Sequence, residues 1–203
     1  MAVLAPLLED PLLVGDAIGA LRRYSLVTPD TDGSVSVHQL VQAVTAGQMS
    51  ARLASKWQQA TAALIEDAIP ADTTPLETWP VCAALLPHAQ VALADDSAGM
   101  ARIGNYLGES GSYAAARDFE QKALDARVRH LGPGHPDTLT IRHNLAYWTG
   151  QAGDAAAARD LFAELLPVRE RVSGPEHPDT LTTRGNLARW TGRAHGNAER
   201  DVK

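Results

Sequence analysis

The clearest pattern of hydrophobic and polar positions along this chain recurs with a period of 42 residues. The segment GPGHPDTLTIRHNLAYWTGQA, residues 132–152, returns as GPEHPDTLTTRGNLARWTGRA at residues 174–194, and sixteen of the 21 positions are identical. Within each copy, apolar and small residues are spaced three and four positions apart, as on one face of a helix. A repeat of this length is typical of stacked helical solenoids rather than of catalytic domains.

Helix start and stop signals divide this half of the chain into helices. Pro136 suits the first turn of a helix, because its missing N–H needs no partner there. We expect Gly150 and Gly153 to close that helix, Asp154 to cap the next one, and Pro167 to kink it. The expected buried positions are Leu139, Arg142, Leu145, Ala146 and Thr149 on the first helix and Ala155, Ala158, Phe162, Leu165 and Leu166 on the second.

One period upstream, the chain resembles the tetratricopeptide repeat (TPR) family. The matching positions are Met100, Ile103, Gly104, Leu107, Gly111, Tyr113, Ala116 and Ala123. The 42-residue period and the HPDT linkers are more similar to the kinesin-light-chain subtype. The resemblance implies a TPR array over residues 95–203. It would contain two full repeats, 97–131 and 135–173, and a third first helix at 176–192 that is followed only by a polar segment.

The resemblance also implies where a ligand would bind, since the first helices of stacked TPR units line a concave face. Polar residues stand beside the buried stripe of each first helix. An asparagine can donate to a peptide C=O and accept from its N–H, and an arginine can bind a carboxylate. The candidate partner-binding residues are Arg102, Asn105, His143, Asn144, Tyr147, Asn186, Arg189 and Arg193. An alternative is that Asn144 and Asn186 recur because they bond the adjacent repeat.

Three further features of the repeats bear on ligand binding. TPR domains that clamp a carboxylate carry asparagines at the positions of Asn105 and Asn144, but this chain departs from them at Ala101, where they carry a lysine. The recurring tryptophans, Trp148 and Trp190, are an aromatic ligand platform or packing between units, and packing is favoured. The recurring histidines, His135 and His177, are metal ligands or linker and capping residues, and the second role is favoured.

The first half of the chain has a different pattern. It predicts a helix from Asp10-Pro11, a strand at 24–27, a turn at 28–33, a return strand at 34–38 and a helix from about His38. This order resembles the winged-helix segment of bacterial NB-ARC (STAND-type) ATPases, in part, over residues 1–49. In that family the segment lies between the nucleotide-binding module and C-terminal repeats. The chain contains no G-x-x-x-x-G-K-[ST] loop, so we expect neither nucleotide binding of that kind nor another cofactor.

Residues 50–94 are expected to connect the two halves and to cap the solenoid. Ser50 is placed to cap a long helix, and Trp79-Pro80 to begin another, and together they would cover Met100 and Ile103. The expected apolar face of the second helix is Val81, Ala84, Leu85, His88 and Val91. Cys82 and His88 are not three or four residues apart, so we expect Cys82 to be buried rather than part of a catalytic pair.

Composition and charge argue against several classes of function. The net charge is −6 and the pI about 5.6, so general attraction to nucleic acid or anionic lipid is not expected. No apolar run approaches the roughly 20 residues of a membrane span. The single cysteine is consistent with a reducing cytoplasm. Acidic residues lie without a nucleophile or a paired carboxylate, so neither an enzyme nor a metal site is expected.

These observations predict a mainly all-α fold, in which a TPR-type solenoid follows a partial winged-helix segment with one short β-hairpin. The leading hypothesis is a non-catalytic module that binds a peptide or partner protein in the concave groove, as the sensor or scaffold part of a STAND-type protein. The alternative is a small winged-helix transcription regulator with a TPR dimerisation or sensor domain. We expect an uncovered face on the third first helix, which would pack against another copy or mark a truncated array. Its residues are Leu181, Leu187, Ala188 and Trp190.

Overall fold

The computed structural model describes residues 11–24, 26–30 and 35–201. In these residues helices predominate, and the two strands form one antiparallel hairpin, so the predicted mainly α-helical class is confirmed. The elements are α1 (Pro11–Arg23), β1 (Val27–Pro29), β2 (Val35–Val37), α2 (Gln39–Gln48), α3 (Ala51–Ala68), a 3₁₀ turn (Leu76–Thr78), α4 (Trp79–Ala92), α5 (Ala98–Glu109), α6 (Tyr113–Leu131), α7 (Pro136–Gln151), α8 (Ala155–Ser173) and α9 (Pro178–Asp201).

The chain divides into two compact units between Thr61 and Ala62, within α3. The first unit has the predicted order of helix, hairpin and helix, with Val27 paired to Val37. Its first strand begins at Val27 rather than at Tyr24 and includes Pro29, which was predicted to lie in the turn. A two-stranded sheet consists only of edges, where proline is tolerated. Residues 31–34 of the predicted turn lie outside the described residues, and the assignment to a winged helix stays a prediction.

In the second unit, α5 to α9 repeat with the period read from the sequence. The first helices α7 and α9 begin at Pro136 and Pro178, and Asp154 caps α8 by accepting from the amide of Ala157 at 2.9 Å. Left-handed glycines with φ between 85° and 108° follow the helix ends at Gly111, Gly132, Gly153 and Gly174. A positive φ strains any residue with a Cβ, which explains glycine at these turns.

Two apolar clusters form the core of this unit and contain most of the repeat positions predicted to be buried, although Arg142 and Leu166 are only partly buried. The buried members of the first are Ile69, Cys82, Ala89, Met100, Ile103, Leu107, Ala116 and Trp148. Those of the second are Leu139, Ala146, Ala155, Ala158, Phe162, Leu165 and Trp190. Because the first cluster joins α4 to α5, the expected cover over Met100 and Ile103 is present. Cys82 is fully buried, as predicted.

The predicted apolar face of α4 is wrong. Val81 is 45 % exposed and Val91 is 89 % exposed, whereas Cys82 and Ala89 are buried. Ala84 and His88 are exposed as well, and of the predicted positions only Leu85 packs against the core. Helix α4 is apolar on all sides, so spacing alone leaves its buried stripe undetermined, and contact with α5 decides it.

Helix α9 is longer than predicted. The segment after Gly192 was expected to be polar and non-helical, but the helix continues to Asp201. On this helix Leu181 is 44 % exposed and Ala188 is exposed, as predicted, while Leu187 is partly buried. Trp190 is 1 % exposed, so its inclusion in the uncovered face was wrong, because its indole packs back onto the preceding repeat. None of the helices in the described part of the chain is long and apolar enough to cross a membrane.

Candidate interaction site

Successive repeats meet at two junctions with the same plan. The first junction is formed by α5, α6 and α7, and the second by α7, α8 and α9. At each, a tryptophan lies on a glycine of the preceding first helix. A Cβ at Gly108 would come within 2.2 Å of the Trp148 ring, and one at Gly150 within 2.5 Å of the Trp190 ring. Packing between units is therefore the role of both tryptophans. Gly150, predicted to close α7, lies inside it and makes room for Trp190.

An arginine of the second helix ties each junction together. Arg169 is 4 % exposed; it donates to the Asp179 carboxylate at 2.7 Å and to the Leu139 carbonyl at 3.0 Å. Its counterpart Arg127 donates to the Asp96 carbonyl, and its nearest contact with the Asp137 carboxylate is 3.7 Å. Sequence reasoning missed this pair, although its signal was available. Both arginines and both aspartates recur at the 42-residue period.

The recurring histidines cap the first helices, which confirms the capping interpretation. Nδ1 of His135 accepts from the Asp137 amide at 3.2 Å, and Nδ1 of His177 accepts from the Asp179 amide at the same distance. A side chain that accepts from an orphan N–H at a helix start stabilises that helix. Among the described residues, no group of three or more His, Cys, Asp or Glu side chains could hold a metal ion.

The predicted ligand-binding residues on α5 contact the end of α3 and the loop that follows α3. Arg102 donates to the Glu66 carbonyl at 2.6 Å and lies 3.8 Å from the Glu66 carboxylate. That carboxylate also accepts from the amide of Gly99 at the start of α5, at 2.6 Å. Asn105 is exposed and donates to the hydroxyl of Thr73 at 3.2 Å. Arg102 therefore holds α5 to the end of α3, whereas the exposed Asn105 receives no hydrogen bond at its amide oxygen from the described residues.

The two recurring asparagines both contact the preceding repeat. The Asn144 amide donates to Oε1 of Glu120 at 3.2 Å. The Asn186 amide donates to the Thr182 carbonyl at 3.2 Å and lies 3.5 Å from Nε2 of His143. These contacts favour the alternative interpretation, in which the asparagines recur because they bond the adjacent repeat. The Asn144 amide oxygen accepts no hydrogen bond from the described residues, so it is available to a ligand.

The remaining candidates are aromatic or lie against an aromatic ring. The half-buried ring of Tyr147 packs edge-on against Trp148, with 4.8 Å between centroids, and its hydroxyl accepts from Gln151. Arg189 and Arg193 are exposed and lie over the Trp190 ring, with Cζ 5.3 Å and 4.9 Å from its centroid. A guanidinium over an indole face is attracted by the ring quadrupole. Both arginines are thus held on the surface of α9, against its buried tryptophan.

A cavity of about 220 Å³ opens at the first junction, between α5, α6 and α7, and Glu120 lies on its wall. Differences between corresponding residues of the two repeats explain why this cavity lies at the first junction. Ala101 and Glu120 of the first junction correspond, 42 residues on, to His143 and Phe162 of the second. There the histidine ring packs edge-on against the fully buried phenylalanine, with 5.1 Å between centroids. Small and acidic residues thus leave a larger space at the first junction than the two rings leave at the second, where the corresponding cavity is about 110 Å³.

Burial shifts two titrations in opposite directions. Glu120 is 6 % exposed, and this burial raises the pKa of its carboxyl to about 7, although the hydrogen bond from Asn144 opposes the rise. Burial, and then the charge of Arg169, lower the pKa of His143 to about 4 against the opposing charge of Asp179. Burial also raises the pKa of the Cys82 thiol, which disfavours a nucleophilic thiolate. Because the pKa of Glu120 is close to neutral pH, a charged ligand in the cavity would change how much of this carboxyl is ionised.

Sequence reasoning found part of this site. It named Asn144 on the wall of the cavity and noted Ala101 as a departure, but it did not single out Glu120. The available signal was an acidic residue at a position where the next repeat carries phenylalanine. The eight predicted residues do not form one cluster. Arg102 and Asn105 contact the end of α3 and the loop after it, whereas Arg189 and Arg193 lie against Trp190 on α9.

Comparison with known proteins agrees with this repeat architecture. The sequence profile of the tetratricopeptide repeat family matches residues 96–171 and 149–200, which together span just over half of the chain. A curated relative, a nucleotide-binding leucine-rich repeat (NLR)-like protein of Hyaloscypha variabilis, is 33 % identical over 134 residues. That match covers 61 % of this chain but only 13 % of the relative. On the repeat geometry and the family profile together, the chain belongs to the tetratricopeptide repeat family.

Proposed function

We propose that the chain is a non-catalytic protein-interaction module that binds a peptide or partner protein on the face formed by α5 and α7. The observation that carries this proposal is the cavity of about 220 Å³ between successive repeats, with Asn144 on its wall. Concave sites with a few convergent polar groups are where ligands bind. The exposed amide of Asn105 extends the same polar stripe along α5.

We further propose that this module is the sensor or scaffold part of a larger STAND-type protein. The support is a relative that is named as nucleotide-binding and is much longer than the region it shares with this chain. The chain itself carries no G-x-x-x-x-G-K-[ST] loop. Nucleotide-dependent switching of the kind that such loops allow would therefore depend on another part of the protein or on another chain.

The interaction proposal is tested by site-specific photocrosslinking in cells of the source organism. A photoreactive residue is placed at Ala101, at the cavity, or at Asn105, and in a matched control at Gln121, which is exposed on α6 outside the cavity. We expect a discrete crosslinked partner from the first two positions and not from the control. A crosslink of equal yield from Gln121, or none from Ala101 and Asn105, would reject the face formed by α5 and α7.

We also propose that the uncovered face of α9 packs against a second copy of the chain. Leu181 is 44 % exposed, whereas Leu139, one period earlier, is fully buried. Burying the exposed part of the Leu181 side chain against another helix is favourable by about 1 kcal/mol. Sedimentation equilibrium should show self-association that Leu181→Arg abolishes and Leu12→Arg does not. A monomer at high micromolar concentration would reject this contact.

A further inference from the structure

The cavity at the first junction contains a buried carboxyl with an unused acceptor. Glu120 is 6 % exposed, and its carboxyl accepts one hydrogen bond, from the Asn144 amide to Oε1 at 3.2 Å. No described residue donates to Oε2. A buried carboxylate is costly unless it is paired with a cation or fully hydrogen-bonded. The arrangement therefore leaves a position for a donor that enters from outside.

The charges around this carboxyl favour a cation. Three further carboxylates line the cavity, those of Asp95, Asp96 and Asp137. Among the described residues on its wall the only cation is Arg127, and its guanidinium is already directed at the Asp96 carbonyl and towards the Asp137 carboxylate. Asp96 also pairs with the ring of His130 at 2.7 Å, from outside the cavity. No lining cation is therefore left for Glu120, and an incoming positive charge would meet a net negative wall.

The shape and the acceptors of the cavity narrow the kind of cation. Apolar side chains form part of the wall, namely Met100, Phe119 and Ile141, and an aliphatic stem can pack along them. An ammonium group is compact and donates in three directions, and Oε2 of Glu120, the Asn144 amide oxygen and the Thr140 hydroxyl supply acceptors on this wall. A guanidinium binds best to two free oxygens of one carboxylate, but Oε1 of Glu120 is taken.

We propose that this cavity binds the side chain of a lysine presented by the partner protein, with Glu120 as its counter-ion and Asn144 as a second acceptor. The inference rests on the proposed interaction function and names the residue by which the partner is anchored. At the second junction Phe162 stands in place of Glu120 and its ring contacts His143, and the cavity there is smaller, about 110 Å³. The carboxylate on its wall, that of Asp179, already pairs with Arg169, so the lysine site is specific to the first junction.

The titration of Glu120 supports the same occupant. Burial raises the pKa of its carboxyl to about 7, and a bound ammonium would favour the charged form. Binding should therefore weaken as the pH falls below 7. The charged groups that face this carboxyl are Asp95 and Asp96 on the loop before α5, Arg127 on α6 and Asp137 on α7. The pKa of Asp96 is held below its usual value by the hydrogen bond from His130, so Asp96 remains charged over this range.

The test uses n-butylammonium as a probe of the lysine side chain and follows the amide signals of the whole chain by two-dimensional NMR. We expect saturable shifts at the Asn144 side-chain amide and at backbone amides around the cavity, with affinity about tenfold higher at pH 8 than at pH 6. Glu120→Gln keeps an acceptor for Asn144 but removes the charge, and should weaken the probe by about tenfold or more. The matched control Asp118→Asn removes one exposed carboxylate from α6 outside the cavity and should bind like the wild type.

Two control ligands make the result decisive. n-Butanol has the butyl chain of the probe without its charge, and n-butylguanidinium has the same chain with a planar guanidinium in place of the ammonium. Equal binding of n-butanol, or unchanged binding by Glu120→Gln, would overturn the proposal. So would a preference for n-butylguanidinium, or the absence of any shift at the cavity. None of these results depends on the partner protein, so failure here is distinct from failure of the crosslinking experiment. A lysine peptide compared with its N-acetylated form then separates the side chain from a free N-terminus as the source of the ammonium.

Discussion

The first and second junctions are built on one plan but filled differently. Both place a tryptophan on a glycine and tie the second helix to the next first helix with an arginine and an aspartate. In the second junction Phe162 and His143 reduce the corresponding cavity to about 110 Å³, whereas in the first Ala101 and Glu120 leave a cavity of about 220 Å³. The shared contacts are those that hold repeats together. The residues that differ decide how large this cavity is and which groups line it.

The largest expected effect comes from removing the buried phenylalanine ring from the second junction. Phe162→Ala should lower the free energy of unfolding by about 3–5 kcal/mol, because it removes a fully buried ring and leaves a hole. Glu120→Ala, at the same position of the preceding repeat, should cost less than about 1 kcal/mol, since that side chain borders an existing cavity. Urea unfolding at pH 7, followed by tryptophan fluorescence, measures both. Equal losses would mean that the first junction is packed as tightly as the second.

The next effect concerns the charge buried in the first junction. The pKa of Glu120 is raised in the folded state, so its contribution to stability is fully present below the unfolded pKa and is lost as the pH rises to about 7. Glu120→Gln mimics the protonated acid. It should raise the free energy of unfolding by up to about 3 kcal/mol at pH 8 and leave it nearly unchanged at pH 4.

His143 at the second junction provides the opposite trend. Its pKa is lowered to about 4, so the stability it contributes is present at neutral pH and is lost as the pH falls through that value. In the wild type the two trends oppose each other between about pH 4.5 and 6.5. Urea unfolding of Glu120→Gln across that interval should therefore show a loss of stability on acidification. If Glu120→Gln were more stable than the wild type by the same amount at every pH from 4 to 8, the charge of Glu120 would not be buried.

The smallest expected effect tests what the junctions share. Gly108→Ala and Gly150→Ala place a Cβ against an indole ring and should each lower the free energy of unfolding by about 1–3 kcal/mol. The matched control is Gly185→Ala on α9, where no described atom lies within 4 Å of the added Cβ. There the better helix propensity of alanine should raise stability by about 0.5–1 kcal/mol. Thermal unfolding by circular dichroism compares the three, and stabilisation by all of them would refute the close Gly–Trp contacts.

Much of the repeat architecture could be read from the sequence, because local signals determine it. Pro136 and Pro178 begin helices, and Gly153 and Gly174 follow their ends, since proline and glycine fix the backbone wherever they occur. The tryptophans were correctly interpreted as packing residues, since a large aromatic that recurs with the repeat needs a recurring partner. The candidate site was harder to predict. Asn144 was found from its pattern, but in the sequence Glu120 is one of three acidic residues on α6 and has no feature that sets it apart.

The sequence by itself determined the period, the starts of the repeat helices and most of their buried positions, because these depend on the conformational preferences of residues a few positions apart. Only the tertiary structure decided which stripe of α4 is buried, and that Gly150 makes room for the ring of Trp190. It also decided that Glu120 lies beside Asn144 rather than in solvent. These outcomes depend on which helices are in contact, and a contact between α6 and α7 leaves no signal in the spacing of either helix alone.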